Sequence, residues 1–137
     1  MTARKPPRPG RAVRGSTTGR PLMAAMDLFG RRWALRVMWE LRAGPVGARA
    51  LLARCEGMSS SVLYERLRDL TDALLVTQTN NDEYQLTKLG RELGESLQPL
   101  DAWARRWSRA FTVSAAQNMR RRTTIGRTPD RRSERRI

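Results

Sequence analysis

A short polar stretch near the middle of the chain carries side chains that could form hydrogen bonds with the edges of nucleic-acid bases. It contains Ser59, Ser60 and Ser61, and Tyr64 and Glu65 follow them. Hydroxyl groups donate and accept hydrogen bonds, so the serines and the tyrosine could contact either bases or phosphates. Glu65 could accept a hydrogen bond from cytosine but would repel a phosphate. The chemistry that this stretch offers is recognition of a polar partner.

These side chains need a helix to present them, and the residues around them predict one. Apolar residues recur at helical spacing from Val62 to Leu74, and Ser59 is a suitable N-cap for a helix that follows it. The outward face would then carry Ser60, Ser61, Tyr64, Glu65 and Arg68. Such a face either reads bases in the major groove of DNA or is simply solvated. Arg66 is offset from this face, so a phosphate contact and an internal ion pair both stay open.

Further helices are predicted before this one. Apolar residues recur every three or four positions over residues 22–41, which indicates a helical segment that Gly30 divides in two. The Gly-Pro pair at 44–45 should end it. A short helix is expected over residues 48–55, and the turn at 56–58 joins it to the polar helix. Two helices joined by a tight glycine-containing turn form a helix-turn-helix.

The segment after the polar helix predicts a β-hairpin. Residues 75–79 and 83–86 are rich in β-forming residues and flank the turn sequence at 80–82. Beside a helix-turn-helix such a hairpin is a wing, whose Asn80 and Asn81 would lie near the minor groove or the flanking backbone. The alternative is that both asparagines only supply good turn chemistry.

A long helical stretch follows the hairpin, and Thr87 is its expected N-cap. Its apolar stripe is longer than a small domain needs to cover its own core. Such a stripe is typical of a helix that packs against a second subunit. Pro99 should kink this helix or restart it.

The charge of the chain is concentrated at its two ends. The 137 residues include 27 Lys and Arg against 13 Asp and Glu, so the net charge is +14 and a polyanionic partner is expected. Residues 1–20 hold six basic residues and no acidic one, and residues 112–137 are similarly basic. Both ends are poor in apolar residues and are predicted to be disordered tails. Residues 21–111 form the expected folded domain.

Basic side chains could supply the affinity that does not depend on DNA sequence. Arg49 and Arg54 lie on the helix before the turn and Lys88 follows the wing, which makes them candidate phosphate contacts. The arginine arm at 1–20 either enters the minor groove or raises affinity without a fixed contact.

The residue types that are scarce exclude several functions. With no histidine and a single cysteine, Cys55, no Ser-His-Asp triad and no Cys/His zinc site can form, so neither an enzyme nor a cofactor is expected. Cys55 is either a buried apolar residue or, if exposed, a thiol sensor. No stretch approaches the roughly 18 apolar residues of a membrane span and no secretion signal is visible. The protein is therefore expected to be cytoplasmic, associated with the nucleoid and without a membrane partner.

Taken in order, several pieces of the sequence resemble the HxlR family of bacterial transcriptional regulators. The pieces are Met26–Trp33, Trp39–Leu41 with Gly44-Pro45, Met58-Ser59 with Val62-Leu63, Arg66–Leu70 and Tyr84–Gly90. The resemblance covers residues 21–110. It implies a mainly α (α+β) winged helix-turn-helix with N- and C-terminal dimerisation helices. It also implies a homodimer that regulates transcription, as repressor or activator, by binding an inverted-repeat site on double-stranded DNA.

The resemblance further implies which residues form the dimer interface, since the first and last helices have that role in this family. The residues assigned to it are Leu22, Met26, Trp33, Leu100, Trp103 and Trp107. For Trp103 and Trp107, packing within one subunit is equally open. Trp39 is expected in the domain core.

The sequence departs from the family at three points. Arg20-Pro21 stands where many members have cysteine followed by proline, so redox sensing through that position is excluded. Ser60 and Ser61 replace the longer polar or basic residues expected at the start of the recognition helix, and the wing turn is short. The serines mildly favour a second function, a sequence-tolerant nucleoid-type protein that binds nucleic acid through its basic tails. A third alternative is a regulator controlled by a small-molecule effector held in the dimer interface between the Trp-bearing helices, although no residue indicates such a ligand.

Overall fold

The computed structural model describes residues 5–126. Within them lie the helices α1 (Pro21–Phe29), α2 (Ala34–Glu40), α3 (Ala48–Arg54), α4 (Ser60–Asp72) and α5 (Lys88–Ile125). The strands are β1 (Val46–Gly47), β2 (Val76–Gln78) and β3 (Glu83–Leu86). The chain separates into two compact units, one that ends at Ser96 and one that begins at Leu97. The mainly α winged helix-turn-helix that the sequence predicts is confirmed.

The first helical segment is divided at Gly30, as its sequence predicts. Pro21 occupies the first turn of α1, where its missing N–H costs no hydrogen bond. Gly30 caps the C-terminus of α1, and Trp33 then adopts a left-handed backbone with φ of 76° immediately before α2. The loop at 30–33 therefore changes the direction of the chain between the two helices.

α3 and α4 form the predicted helix-turn-helix. Gly57, with φ of 84°, provides the left-handed residue in the turn between them. Leu51 on α3 and Leu63 and Leu67 on α4 are buried, so the two helices share one apolar core. The opposite face of α4 is left to solvent.

The three strands form one antiparallel sheet in the order β1-β3-β2. The predicted hairpin is confirmed: Val76 pairs with Leu86 and Gln78 pairs with Tyr84. β1 is an addition that the sequence analysis did not predict, and its Val46 pairs with Tyr84 on the other side of β3. A strand of two residues after a proline is too short to show an alternating pattern in the sequence. It is defined by its pairing with β3.

The end of the wing is held against the start of α5 by Thr87 and Gly90. The Thr87 hydroxyl donates to the Leu74 carbonyl (2.7 Å) and accepts from the Gly90 N–H (3.1 Å), so Thr87 is the predicted N-cap. The Thr87 N–H donates to the Leu75 carbonyl at 3.0 Å. Gly90 is buried, and a Cβ at this position would collide with the Leu75 carbonyl oxygen. Only glycine lets α5 lie this close to the chain that enters β2.

The core of the first unit combines the inward faces of its helices and sheet. Its largest fully buried side chains are those of Val37, Leu41, Leu51, Cys55, Leu63, Leu67, Leu70 and Val76. The expectation that Trp39 belongs to this core is wrong, because Trp39 is 42% exposed and the Arg42 guanidinium lies 3.8 Å from its ring centroid. Val37 and Met38 occupy the inward positions of α2 and Leu41 caps its buried end, which leaves Trp39 on the outer face.

The arm before α1 contains structure where disorder was expected. Val13 and Ser16 form an antiparallel bridge, and the Arg14 N–H donates to the Asp27 carboxylate on α1 at 3.3 Å. The Lys5 carbonyl accepts a hydrogen bond from Arg31 at 3.0 Å. These polar contacts order residues 5–20 without burying many apolar side chains, which is why composition did not reveal them. Residues 1–4 of the predicted arm lie outside the described residues.

The predicted disordered tail at 112–137 also differs from the structure. α5 continues to Ile125 and contains Pro99 without a break, so the helix does not restart there. Residues 112–125 include no glycine or proline and several good helix formers, among them alanine, methionine and arginine, which explains the extension. Residues 127–137 lie outside the described part of the chain.

Candidate nucleic-acid interface

α4 begins with a capped N-terminus that exposes serine side chains. Ser59 has an extended backbone and its Oγ accepts from the Val62 N–H at 3.3 Å, so the predicted N-cap is confirmed. Ser59 Oγ also lies 3.2 Å from Ser61 Oγ. Ser59, Ser60 and Ser61 are all exposed, so their hydroxyl groups are available at a helix N-terminus, where anions are favoured.

The exposed face of α4 continues beyond its first turn. Tyr64 is 51% exposed, and Glu65 and Arg68 are also exposed. The opposite face is buried through Leu63, Leu67 and Leu70. The exposure predicted for this face is therefore confirmed, whereas contact between DNA and its residues stays a prediction.

Arg66 does not belong to the exposed face. Its Nε donates to the Arg32 carbonyl at 2.7 Å, and its Nη1 lies 2.7 Å from Asp69 Oδ2. Its side chain is only 14% exposed. Of the two roles that the sequence left open, the structure shows the internal ion pair. Arg66 Nε and Nη1 are engaged by protein groups, and Nη1 also lies 3.6 Å from Glu65 Oε1, so the internal ion pair is favoured over the phosphate contact.

Arg31 completes this ion-paired cluster, which we call the Asp69 triad (Arg31, Arg66 and Asp69). Arg31 Nη1 lies 2.9 Å from Asp69 Oδ2, the oxygen that also accepts from Arg66. The sequence does not reveal Arg31 and Asp69 as partners, because Asp69 lies on α4 and Arg31 lies in the loop after α1. The only signal in the sequence was the offset of Arg66 from the exposed face.

The tip of the wing presents Asn80 and Asn81, which are both exposed. Thr79 holds the turn, since its hydroxyl accepts from the N–H groups of Asn81 (3.3 Å) and Glu83 (3.2 Å). Neither asparagine side chain forms a hydrogen bond within residues 5–126. Both side chains are therefore available to a partner, although a role in DNA contact stays a prediction.

Tyr84 is a half-buried residue on the β3 strand of the wing. Burial raises the pKa of the Tyr84 phenol, and the Tyr64 phenol and the Asp82 carboxylate raise that pKa further.

The candidate phosphate contacts are also on the surface. Arg49 and Arg54 on α3 and Lys88 at the start of α5 are exposed. Within residues 5–126 no acidic side chain forms an ion pair with any of them. Their charges are therefore not neutralised by the protein and could pair with phosphates.

Comparison with protein families identifies this arrangement. The profile of the HxlR-like helix-turn-helix family matches residues 28–111, which include α2 to β3 and most of α5. The chain belongs to the HxlR-like helix-turn-helix family. It is accordingly a DNA-binding transcriptional regulator with a winged helix-turn-helix.

Solved structures of HxlR and MarR regulators have the same fold. Quinone-bound YodB from B. subtilis shares 28% identity with a TM-score of 0.59, over 62% of this chain and 96% of YodB. The structure of a possible HxlR family transcriptional factor from Thermoplasma volcanium GSS1 shares 26% identity with a TM-score of 0.57, over 65% of this chain and 85% of its own. A MarR-family regulator structure from Enterococcus faecalis V583 shares 25% identity with a TM-score of 0.58, over 72% of this chain and 97% of its own. Comparison with curated proteins gave no match.

Three residues predicted to lie in the dimer interface of this HxlR-like protein, Leu22, Met26 and Trp33, differ in solvent exposure. Leu22 and Met26 are 71% and 58% exposed on α1. Trp33 is instead partly buried against the core, and the Arg32 guanidinium lies 5.5 Å from its ring centroid. Leu22 and Met26 are thus unpartnered in one chain, whereas much of Trp33 is already packed.

The second unit of the HxlR-like chain carries an aromatic stripe. Leu100, Trp103 and Trp107 are each about half exposed. The rings of Trp103 and Trp107 stack with centroids 5.6 Å apart, and Phe111 meets Trp107 edge to face at 5.4 Å. One chain leaves this stripe largely uncovered, so its assignment to a dimer interface stays a prediction.

The Cys55 thiol is a poor candidate for a reactive group. Cys55 is buried, and burial is the main reason why the pKa of its thiol is raised, although Arg36 partly offsets the increase. Among residues 5–126, no three His, Cys, Asp or Glu side chains come together to hold a metal ion. No helix in the same range has the length and apolar character needed to cross a membrane.

Proposed function

We propose that this HxlR-like regulator binds an inverted-repeat DNA site as a homodimer and reads its sequence through α4. The exposed face of α4 is the observation that carries the proposal. It displays Ser60, Ser61, Tyr64 and Arg68 on a 13-residue helix whose other face is buried, and an α-helix of this kind fits the major groove. Asn80 and Asn81 of the wing would then contact the minor groove or the flanking backbone.

Exposed apolar residues support the homodimer. Leu22 and Met26 on α1 and the aromatic stripe of α5 leave large apolar side chains in water, and aromatic residues are enriched in protein interfaces. A two-fold dimer would place two copies of α4 roughly 34 Å apart, one turn of DNA. Sedimentation at micromolar concentration should show a dimer, and a stable monomer would remove this part of the proposal.

Selection of binding sites from random DNA, followed by footprinting, tests the proposed specificity. The expected result is a palindromic consensus whose half-sites are centred about one helical turn apart. Binding without any consensus would instead support the sequence-tolerant, nucleoid-type function. Tyr64→Phe removes one hydroxyl from the exposed face and should weaken binding to the consensus more than binding to a scrambled duplex.

The phosphate contacts predict a specific dependence on salt. Three basic residues in each subunit, Arg49, Arg54 and Lys88, would give a dimer a slope of roughly −5 in a plot of log affinity against log salt concentration. Arg49→Gln should reduce the magnitude of this slope by about 2, because the dimer loses two contacts. An unchanged slope would exclude Arg49 from the interface.

The arm and the cellular location belong to the same proposal. Residues 5–20 contact α1 and its following loop, and if they only add charge, deletion of residues 1–20 should lower specific and non-specific affinity by similar factors. Selective loss of specific affinity would indicate a fixed minor-groove contact. We place the protein in the cytoplasm on the nucleoid, and a fluorescent fusion that does not coincide with DNA would contradict this location.

A further inference from the structure

The Asp69 triad connects α4 to the loop between α1 and α2. Asp69 is the only charged residue that is buried within residues 5–126. Its Oδ2 accepts from Arg31 Nη1 at 2.9 Å and from Arg66 Nη1 at 2.7 Å. Arg66 Nε also donates to the Arg32 carbonyl at 2.7 Å. These directional contacts tie the middle of α4 to the two residues that follow Gly30.

The triad is not needed simply to attach α4 to the domain. Leu63, Leu67 and Leu70 already pack α4 into the apolar core. Removing charges from water costs about as much as their pairing returns, and well-packed apolar replacements are often equally stable. Apolar packing is non-directional, whereas hydrogen bonds between charged groups accept a narrow range of angles. The triad therefore determines an orientation more than it adds stability.

The orientation of α4 about its own axis matters for reading DNA. Side-chain atoms on a helix surface lie about 5–6 Å from its axis, so a rotation of roughly 20° would displace Tyr64 and Arg68 by about 2 Å. Hydrogen bonds between nitrogen and oxygen form over a range of only about 2.7–3.2 Å, so such a rotation would break contacts to base edges.

We propose that Arg31, Arg66 and Asp69 are positioning residues that set the rotation of α4 and thereby determine which DNA sequence the protein binds. They do so without touching DNA themselves. This inference rests on the proposed role of α4 as the DNA-reading helix. It assigns the loop between α1 and α2 a part in specificity, because that loop supplies the Arg31 side chain and the Arg32 carbonyl.

An apolar replacement of the whole triad separates positioning from stability. The variant Arg31→Met/Arg66→Met/Asp69→Leu leaves no buried charge unpaired, so it should fold. Its affinity for the wild-type consensus should fall at least about tenfold relative to its affinity for a scrambled duplex of equal length. Arg105→Gln is the matched control, since it also removes one net positive charge. Arg105 is 73% exposed, and its ion-pair partner among residues 5–126 is Asp101 of its own helix. A triple variant that keeps the wild-type affinity ratio would overturn the proposal.

A measurement without DNA keeps this inference distinct from the proposed function. Spin labels at Leu22→Cys and Tyr64→Cys, in a Cys55→Ala background, report the distance between α1 and α4 by pulsed electron resonance. Dilution with unlabelled protein confines the measured distance to one subunit. Replacing the triad should shift or broaden the distance distribution, and an unchanged distribution would overturn the positioning role. If wild-type protein selects no consensus, the proposed function fails while this measurement still decides the role of the triad.

A milder variant covers the case in which the triple variant does not fold. Arg66→Lys keeps a positive charge beside Asp69 but loses the Nε donor to the Arg32 carbonyl. It should show a smaller loss of the affinity ratio and a partial broadening of the distance distribution. Wild-type values for both measurements in a folded Arg66→Lys variant would overturn the proposal.

Discussion

Replacing Gly90 with alanine should destabilise the protein, although alanine ordinarily favours a helix. In an open helical position this substitution stabilises by about 1 kcal/mol. At Gly90, however, the new Cβ would collide with the Leu75 carbonyl oxygen and would lie 3.3 Å from the Leu86 Cβ. The collision involves backbone, so no side-chain rotation can relieve it.

The size of the effect follows from what has to move. α5 would have to withdraw from the chain entering β2, against the Thr87 hydrogen bonds to the Leu74 and Leu75 carbonyls. Overpacking of this kind costs about 1–3 kcal/mol, and weakening one hydrogen bond costs about 1 kcal/mol. After the gain in helix propensity is subtracted, the free energy of unfolding should fall by about 1–3 kcal/mol.

Urea denaturation at one fixed protein concentration measures this change without a contribution from altered association. Gly94→Ala is the matched control, because Gly94 lies in the same helix and a Cβ there meets nothing within 4 Å. The control should raise the free energy of unfolding by up to about 1 kcal/mol. If Gly90→Ala stabilises the protein as Gly94→Ala does, the close approach of α5 to Leu75 is not a constraint and the reasoning fails.

Other substitutions test local features of the same fold. Leu74 adopts φ of 66° and is 69% exposed, so Leu74→Gly should stabilise by about 0.5–1 kcal/mol, and a lower melting temperature would contradict this. Ser59→Ala removes the N-cap of α4 and should cost about 1 kcal/mol in thermal unfolding, whereas Ser96→Ala, within α5, should be nearly neutral. The pKa of the Cys55 thiol is higher in the folded state than in the unfolded chain, so its stabilising contribution is complete below about pH 8.5 and is lost as the pH rises above that value. Alkaline urea titrations of wild type and Cys55→Ala should therefore diverge, and parallel curves would contradict the raised pKa.

The features that the sequence predicted are those with local signals. Ser59 and Thr87 cap helices because their hydroxyl groups reach N–H groups three residues ahead, and such spacing is visible in any sequence. The spacing of Leu63, Leu67 and Leu70 likewise indicates which face of α4 is buried. The exposed residues of the candidate site followed from that periodicity together with the family resemblance.

The predictions that failed depended on context outside the local pattern. Trp39 is large and apolar, which suggests burial, but smaller neighbours on α2 fill the core and leave it beside Arg42. Disorder was predicted at the chain ends because their composition is poor in apolar residues. Composition does not reveal polar contacts, such as those between Arg14 and Asp27 before α1. β1 has no pattern of its own and forms by pairing with β3.

The sequence by itself determined the order of the helices and the hairpin, the caps of α4 and α5, and the side chains that α4 presents to solvent. These properties depend on residues within one or two turns of each other, where periodicity and capping act. Only the tertiary structure decided that Arg66 pairs with Asp69 beside Arg31, and that α5 passes close enough to Leu75 to require Gly90. Both outcomes depend on how separate elements pack, and a charge or a glycine in the sequence does not specify which distant neighbour it will meet.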